Sequence, residues 1–419
     1  MDRRSRATVI AGTLLNGVFV VALGAVGLRA QEVVDLPAED LPLSVDLESV
    51  YRIGSALAES EWEEFTAIQH IGFDGAGNLY LLDAPGPEAG TRVVIVDPAG
   101  RHVKDFGRDG DGPGEFRWPR RMVVWADGGT LVEDVLHTGH HVFGPEGDFD
   151  RMVRGGVGLN MRPDPGGART VVGASWRGAD DNGRSIVRFD LSSDEVSERT
   201  LVEAWVPWPE DEGRGAPVTL EDFVGELWGF EPALLFDVLP SGGVAFSDSS
   251  GYVIKLADRS GAISRVLRRP MSPLPATEAI RQAERDRRLE ETGNRTSATV
   301  GGGERTPEMA ELSNALAAAR VAAVENMRFF PEVPVISALR ATGDGALWVQ
   351  RSAEPASGEP GLIDVITPDG RYVRTLAPGT ASLPDMPDAF GPDGLVAFLD
   401  TDAFDVPVIT VRRLPPEIR

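Results

Sequence analysis

The stretch that decides the fold is VYRIGSALAESEWEEFTAIQHIGFDGAGNLYLLD, residues 50–83, because its pattern returns in VKDFGRDGDGPGEFRWPRRMVVWADGGTLVED, residues 103–134. Each copy has a short apolar run ending at a glycine, then a phenylalanine, then an Asp-Gly turn 20 residues after the glycine: Gly54, Phe65 and Asp74; Gly107, Phe116 and Asp127. Internal similarity of this kind is the signature of a repeat architecture. The two copies therefore predict a chain built from repeated β units.

Two kinds of hairpin turn recur along the chain. The first precedes a short β-rich run and occurs six times: FDGAGNLYLLD, WADGGTLVED, PDPGGARTVVGAS, LPSGGVAFSD, ATGDGALWVQ and FGPDGLVAFLD. The second leads to an outer strand and occurs only five times: VDPAGRHVKDFG, FGPEGDFDRMV, DLSSDEVSERTL, ADRSGAISRVL and TPDGRYVRTLA. Gly, Asp and Pro suit both turns because the chain must reverse with a positive or a pre-set φ. These turns predict six four-stranded antiparallel units, of which the last lacks its outer strand.

The missing outer strand is found at the start of the repeats. Residues 50–53 align with residues 103–106, the outer strand of the first unit, and stand before that unit. Pairing them with residues 408–412 would complete the sixth sheet and remove an exposed edge. The sequence therefore predicts an all-β, six-bladed β-propeller over residues 31–415, in which the N-terminal strand closes the last blade. The alternative, two unrelated β-sandwich domains, would not explain why the missing strand reappears.

Composition and charge limit the possible functions. The 419 residues include 48 Gly and 31 Pro, and 42% are apolar, which suits a turn-dense globular fold. Acidic residues outnumber basic ones by 65 to 41, and a net charge of −24 repels phosphate backbones, so we expect no nucleic-acid partner. The chain has no cysteine, which excludes disulfides, thiolate nucleophiles and Cys-type zinc sites.

The first 30 residues have the pattern of an export signal. Arg3, Arg4 and Arg6 precede an apolar run over residues 7–28, and Ala30 offers a small residue at a cleavage point. The alternative is a retained anchor, because 22 apolar residues can span a bilayer. We therefore expect a periplasmic or secreted protein that meets a membrane only through an uncleaved N-terminal segment.

The first two units resemble NHL-repeat propellers. Residues 107–119, GRDGDGPGEFRWP, look like the family's connector, in which glycines precede a Gly-Phe or Glu-Phe pair and a proline. Residues 137–147, HTGHHVFGPEG, resemble the turn and strand usually written DTGNHRVQVFDPDG. The resemblance implies a six-bladed disc with a central channel. It implies no single activity, because the relatives include lyases, RNA binders and scaffolds.

Two long insertions both fall in connectors between units, at residues 206–232 and 271–331. The second is predicted to be the one helical insertion. Its second helix should open with Thr306 as N-cap and Pro307 in the first turn. An apolar stripe follows at helical spacing: Met309, Leu312, Leu316, Ala319 and Ala323. Both connectors should emerge on one face of the disc, where the helices form a lid or docking arm, or else pack against a blade.

Polar residues near the starts of the inner strands are candidates for lining the central channel. The candidates are found by counting back from each turn of the first type and by inspecting the start of the second inner strand. They are His70, Arg120, Arg121, Asn160, Asp237 and Arg340. Such a ring of donors and charges could orient an anionic or sugar-like ligand, whereas the alternative is a water-filled channel with structural polar groups. The first long connector adds aromatic side chains that would form a stacking wall or bury that connector: Trp205, Trp208, Trp228 and Phe230.

Metal binding is the weaker alternative. Three of the five histidines, His137, His140 and His141, could join a carboxylate or His70 in a zinc site, but their directions should diverge around a turn. Two acidic sets look superficially like calcium loops: Asp109, Asp111 and Glu115; Asp400, Asp402 and Asp405. Neither has the bidentate Glu that an EF-hand loop requires at its twelfth position. We therefore expect no cofactor, with zinc or calcium as the alternatives.

The sequence favours a binding function over catalysis. It contains no GxSxG elbow, P-loop, Rossmann glycine signature or HExxH motif. It predicts an exported, monomeric binding or scaffold protein that recognises a protein, peptide or glycan on the face carrying the long connectors. The alternative is a metal-assisted lyase or lactone hydrolase, in which His137, His140 or channel carboxylates activate water or polarise a carbonyl.

Overall fold

The structure is a computed structural model that describes residues 31–58, 60–86, 89–154, 158–175, 184–193, 195–207, 226–298, 307–353 and 359–419. The predicted export signal, the N-cap Thr306, Trp208 and most of the first long connector lie outside these residues. Among the described helices, none is both long and apolar enough to cross a membrane.

The described chain consists mainly of short strands. The first half contains β1 (Glu32–Asp35), β2 (Pro42–Leu43) and β3 (Glu48–Ile53) before the blades; β4 (Ile68–Phe73), β5 (Leu79–Asp83), β6 (Arg92–Val96) and β7 (His102–Phe106) in blade 1; β8 (Arg108–Asp109) and β9 (Glu115–Phe116) in a connector; β10 (Pro119–Val124), β11 (Thr130–Asp134), β12 (Gly139–Phe143) and β13 (Phe149–Arg154) in blade 2; and β14 (Leu159–Pro163), β15 (Thr170–Ala174), β16 (Ser185–Asp190) and β17 (Ser197–Glu203) in blade 3. The second half contains β18 (Trp228–Gly229); β19 (Leu235–Val238), β20 (Val244–Ser247), β21 (Val253–Ala257) and β22 (Ile263–Arg268) in blade 4; β23 (Leu274–Pro275), α1 (Glu278–Ala298), α2 (Pro307–Glu325), β24 (Arg328–Phe329) and β25 (Glu332–Val333) in the insertion; β26 (Ile336–Ala341), β27 (Leu347–Arg351), β28 (Ile363–Ile366) and β29 (Tyr372–Leu376) in blade 5; and β30 (Ala389–Phe390), β31 (Leu395–Thr401) and β32 (Pro407–Arg413) in blade 6. Short 3-10 turns occupy Glu61–Glu63, Pro392–Gly394 and Pro416–Ile418.

The ring is closed by its two ends. Strand β3 pairs antiparallel with β32, so that Tyr51 lies opposite Val411 and Ile53 opposite Ile409. Blade 6 therefore has the order β3-β32-β31-β30, with its outer strand taken from the N-terminal side of the chain. The predicted six-bladed propeller and its closing strand are both confirmed.

The segment before β3 makes additional pairings that the turn pattern does not predict. Strand β1 adds in parallel to β22 at the outer edge of blade 4, and β2 adds in parallel to β29 at the edge of blade 5. We call residues 31–53 the N-terminal belt. Its side chains Leu36 and Leu47 are buried. The belt therefore covers the outer edges of three consecutive blades, which would otherwise expose unpaired backbone.

The apolar core lies between the blades. Six clusters of buried side chains occur, one for each pair of neighbouring blades around the ring. The cluster between the last and first blades contains Ile409 and Val411 of blade 6 with Leu79 and Val94 of blade 1. This last interface buries apolar area as the others do, so closure is supported by the hydrophobic effect as well as by the β3–β32 hydrogen bonds.

The glycine and phenylalanine of the sequence repeat contact each other in both copies. Gly54 and Gly107 have φ values of 80° and 77°. A Cβ at Gly107 would lie 2.3 Å from the Phe116 ring, and one at Gly54 would lie 2.9 Å from the Phe65 ring. Only glycine combines a positive φ with this close approach. The repeat therefore encodes a sharp connector whose phenylalanine packs onto the backbone.

The insertion after blade 4 is a pair of helices on a small β base. Helices α1 and α2 contact each other, and the base consists of the pairings β18–β24 and β23–β25. In the predicted apolar stripe, Ala319 is buried, whereas Leu316 and Ala323 are half-buried. The side chains of Met309 and Leu312 lie outside the described part.

Candidate functional site

Three cavities follow one another along the central channel. The first, about 740 Å³, opens among the turns that follow the inner strands and is bordered by Phe73. The middle cavity, about 290 Å³, is lined by both Phe73 and His70. The third, about 430 Å³, includes His70 and the turn residue Val135. Since the inner strands begin at the third cavity, it opens on the side from which the blade connectors enter, which we call the connector face. We call this third cavity the channel mouth.

The lining of the channel mouth is rich in arginine, although the protein as a whole is acidic. Its ten lining residues are Gln69, His70, Arg120, Arg121, Met122, Val123, Val135, Asn160, Met161 and Arg162. Three of these described residues are arginines and none is acidic, although the whole chain carries a net charge of −24. The structure thus brings His70, Arg120, Arg121 and Asn160 together, as the sequence predicts, and adds Arg162.

Local irregularities of the inner strands place several of these side chains at the mouth. The pairing of β4 with β5 skips Gln69, that of β10 with β11 skips Arg120, and that of β14 with β15 skips Asn160 and its neighbour. Such bulges commonly redirect side chains beside functional sites. Asn160 also has a φ of 54°, in the left-handed region that asparagine tolerates better than most residues.

The predicted channel residues Asp237 and Arg340 lie deeper, in the middle cavity. Asp237 is buried, and its two carboxylate oxygens lie 3.4 Å from Arg162 Nε and 3.3 Å from Arg340 Nε. The same oxygens accept hydrogen bonds of 2.9 Å from the backbone N–H groups of Val238 and Ala341. Asp237 is therefore fixed by the fold and holds two arginines that face the channel.

Burial and the surrounding charges keep the histidine of the mouth neutral. Burial, reinforced by the charges of Arg162, Arg340 and Arg121, lowers the pKa of His70 to about 3. Burial also lowers the pKa of Arg162 to about 10, helped by the charge of Arg340 and opposed by Asp237. At neutral pH the positive charge of the mouth therefore comes from guanidinium groups alone.

The two arginines of β10 differ in how they are held. Arg121 donates from a guanidinium N–H to Glu133, with a separation of 2.8 Å. The exposed Arg120 lies over the Trp118 ring, 5.4 Å from its centroid. Cation–π contact orients a guanidinium without using its N–H donors on another protein group. Arg120 can thus present its donors at the rim of the mouth.

The aromatic residue Trp228 belongs to the base of the helical insertion. The Arg328 guanidinium lies 4.2 Å from its ring centroid, and Phe330 packs at 5.0 Å. Trp228 lines none of the three channel cavities. Trp208 lies outside the described residues.

The histidine cluster divides between two sides of blade 2. His137 and His141 have ring centroids 5.3 Å apart and lie beside Asp134. His140 is the neighbour of His141 on β12 and therefore points to the opposite side of the sheet, where it faces Glu133 of the adjacent strand. Asp134, which the sequence does not single out, is the carboxylate of this cluster, and His140 is not part of it.

Members of both acidic sets have partners within the protein: Asp109 and Glu115 lie on the short strands β8 and β9, and Asp402 lies in a turn. Asp109 accepts from the backbone N–H of Gly90 at 2.7 Å, and Glu115 pairs with Arg108 at 2.6 Å. Asp402 accepts from the backbone of Phe404 and Val406. These carboxylates therefore serve as hydrogen-bond and ion-pair partners within the fold.

Arg162 is the main site residue that sequence reasoning missed. It lies two residues after Asn160 on β14, and residues two apart on a strand share a face. The bulge at Asn160 and Met161 interrupts that alternation, so the spacing from Asn160 does not identify Arg162. Its pairing with Asp237 of blade 4 had no local signal, because 75 positions separate the two residues in the printed sequence.

Comparisons with known proteins find similar structures and no sequence relatives. No protein-family model matches the chain, and no curated protein matches its sequence. A Bacteroides fragilis protein proposed to be exported aligns at 11% identity and a TM-score of 0.45, over 91% of this chain and 100% of its own. A DUF4221 family member from Bacteroides vulgatus aligns at 10% identity and a TM-score of 0.47, over 90% and 99%. A catalytically inactive virginiamycin B lyase from Staphylococcus aureus, crystallised with quinupristin, aligns at 10% identity and a TM-score of 0.39, over 87% and 99%. The six-bladed propeller fold itself is established by the strand pairings, and the resemblance to NHL repeats stays a prediction.

Proposed function

We propose that this propeller is an exported binding protein whose channel mouth receives a carboxylate at the end of a peptide or an acidic glycan. The observation that carries the proposal is the composition of the mouth, where three arginines and no acidic residue surround a cavity of about 430 Å³. Because the whole chain carries a net charge of −24, a cavity lined by three arginines differs in charge from the rest of the protein. It attracts anions to this one place on the surface.

The chemistry of the lining suits a carboxylate. A guanidinium presents five N–H donors in a planar fork that matches two carboxylate oxygens. Arg121 uses one donor on Glu133, and Arg162 uses one on the backbone carbonyl of Met161 while its Nε faces Asp237 at 3.4 Å. The remaining donors of both residues, together with Arg120 and the Asn160 amide at the rim, can surround a bound anion.

The size of the mouth limits the ligand to a terminal group. Cavities of small-molecule sites span ~300–1,000 Å³, so about 430 Å³ accepts one amino-acid residue or one sugar unit rather than a polymer. The rest of the ligand would then lie across the connector face. The base of the helical insertion, with Trp228 and Phe330, provides aromatic surface there for further contact.

Binding is favoured over metal-assisted catalysis by the position of the possible metal ligands. Among the described residues, the group of His and acidic side chains close enough to share an ion is Asp134, His137 and His141. None of the three lines a channel cavity. A lyase or lactone hydrolase would need its metal where the substrate lies.

The proposal is tested with paired probes that differ only in charge. Short peptide pools with free or amidated C-termini, and trigalacturonate with a neutral trisaccharide, are titrated into residues 31–419 by calorimetry. Hydrogen bonds to charged groups contribute about 1.5–3 kcal/mol, so Arg120→Gln and Arg121→Gln should each weaken binding of the charged probe by about tenfold or more.

A surface arginine away from the mouth provides the matched control. Arg101 pairs with Asp97 in the turn between β6 and β7, and its side chain is 78% exposed. Arg101→Gln should leave the affinity unchanged. Equal binding of charged and neutral probes, or equal losses in all three variants, would rule out an arginine-lined carboxylate site.

A further inference from the structure

A compact group of polar side chains lies at the end of β11, in the turn to β12 and on β12 itself, outside the channel. Asp134, His137 and His141 each place a ligand atom within 4.8 Å of the others. Asp134 Oδ2 lies 3.0 Å from His137 Nδ1, and the rings of His137 and His141 are 5.3 Å apart. Asp111, in the connector from blade 1, approaches the other nitrogen of His137, with Oδ1 3.6 Å from Nε2.

His141 gives a second observation, because this buried imidazole without hydrogen-bond partners lies beside two possible metal ligands, whereas His140, which also has none among the described residues, belongs to no such group. His141 is 2% exposed, and neither ring nitrogen has a hydrogen-bond partner within the described part of the chain. Its ring packs among Phe116, Phe143 and Phe149. These side chains carry no nitrogen or oxygen atom that could form a hydrogen bond with the imidazole. Buried polar groups are normally paired, so a buried imidazole beside a second histidine and a carboxylate requires an explanation.

We propose that Asp134, His137 and His141 bind one divalent transition-metal ion of the zinc type. Zinc takes imidazole nitrogens and carboxylate oxygens at about 2.0–2.2 Å in tetrahedral geometry, which places neighbouring ligand atoms about 3.3 Å apart. The 3.0 Å separation of Asp134 Oδ2 and His137 Nδ1 already fits this geometry. A small rotation of the His141 ring brings in the third ligand, and water fills the fourth position.

The surroundings supply the supporting contacts that such sites use. Asp134 is held by backbone N–H groups of Arg117 and Trp118, at 2.7 and 3.0 Å. With Nδ1 on the metal, His137 would donate from Nε2 to Asp111, the arrangement by which a carboxylate orients a metal-bound histidine. Arg117 pairs with Asp111 at 3.1 Å and offsets its charge at the solvent side.

The position of the site indicates which segments a bound ion would hold together. Asp134 ends β11, His137 lies in the following turn, and Asp111 belongs to the connector that continues into Arg120 at the channel mouth. A bound ion would join these three segments on the connector face. It would therefore act by fixing the connector next to the mouth and not as part of the channel.

The test measures zinc binding to residues 31–419 after removal of metal by a chelator. Competition with a fluorescent zinc indicator gives affinity and stoichiometry, and cobalt substitution gives a visible absorption spectrum diagnostic of tetrahedral coordination. We expect one equivalent of zinc. His141→Phe should weaken binding at least about 100-fold because a ligand is lost, and Asp111→Asn about tenfold, the range for groups that orient a ligand.

His140→Phe is the matched control, because His140 is buried on the same strand and has no partner for either ring nitrogen among the described residues, but faces the other side. It should keep the wild-type zinc affinity. Thermal melting of the metal-free variants shows whether they fold. If His141→Phe does not fold, His137→Ala replaces it, because His137 is partly exposed. The proposal is wrong if the wild type binds no stoichiometric zinc, if His141→Phe and His137→Ala bind it normally, or if His140→Phe loses it equally.

Discussion

Asp364 accepts a hydrogen bond of 2.7 Å from Arg269, and both side chains are completely buried. Arg351 reaches the other oxygen of the same carboxylate at 2.6 Å. Asp40 of the N-terminal belt completes the group, 2.6 Å from Arg269 and 2.5 Å from Arg351. Two carboxylates thus balance two guanidinium groups where the belt crosses from blade 4 to blade 5.

The buried group predicts a large effect of removing one charge. Asp364→Asn leaves Asp40 as the one carboxylate of this group to balance two guanidinium groups, and breaking a buried pair in this way costs about 3–5 kcal/mol. Urea unfolding of residues 31–419 measures the loss. Glu32→Gln is the control, since Glu32 pairs with Arg265 at the surface and its side chain is 58% exposed. That change should cost less than about 1 kcal/mol, and equal costs would contradict the prediction.

The same group predicts how stability depends on acid. Hydrogen bonds from Arg351 and Arg269 lower the pKa of Asp40 from 3.8 to about 2. Because the folded state lowers this pKa, the contribution of Asp40 is complete above about pH 4 and is lost as the pH falls to about 2. Melting curves of wild type and Asp40→Asn should differ at pH 5 and converge near pH 2. A difference that persists unchanged at pH 2 would show that the carboxylate charge is not responsible.

The sequence predicts the blades because their signals are local. Each turn places Gly, Asp or Pro within a few residues of the strands that it joins, as in the turn from Asp74 to Gly77. The closing strand was predictable because it repeats residues 103–106. The strands β1 and β2 gave no comparable signal, since they are short and pair in parallel with strands more than 200 residues away.

The candidate site was predictable only in part, for the same physical reason. Inner-strand positions could be counted from the turns, which located His70, Asp237 and Arg340. The bulges that bring Gln69 and Arg120 to the mouth have no sequence signature of their own. Pairings between blades, such as Arg162 with Asp237, depend on the closed ring and can be seen only in three dimensions.

The repeat glycine should be intolerant of any side chain. Gly107→Ala adds a Cβ 2.3 Å from the Phe116 ring at a φ of 77°, so we expect a loss of about 3 kcal/mol from strain and overpacking combined. Gly90→Ala is the matched control, because its φ is 89° but no atom lies within 4 Å of the added Cβ. That variant should lose only the backbone term, about 1 kcal/mol, in chemical unfolding. Equal losses would show that the contact with Phe116 is unimportant.

Removal of the closing strand should open the ring. Deleting residues 31–56 leaves the edge of β32 unpaired and exposes the apolar interface between blades 6 and 1. We expect the variant to lose its cooperative melting transition and to aggregate through the open edge. Light scattering measures the aggregation. Deleting residues 31–35 removes only β1 and leaves β3 paired, so it should shift the melting temperature without aggregation. A 31–56 deletion that melts like wild type would contradict closure by this strand.

Carboxylate binding at the mouth should be nearly independent of pH in the neutral range. His70 is already neutral there because burial and the neighbouring arginines lower its pKa to about 3, and Arg162, with a pKa of about 10, stays charged. The affinity for a free peptide carboxylate should therefore change less than about twofold between about pH 6 and pH 8. Titration calorimetry at constant ionic strength measures this, with His70→Gln as the comparison. A tenfold gain in affinity on acidification that disappears in His70→Gln would contradict the prediction. It would show that the imidazole gains a proton and adds charge to the bound state, although it lies among three guanidinium groups.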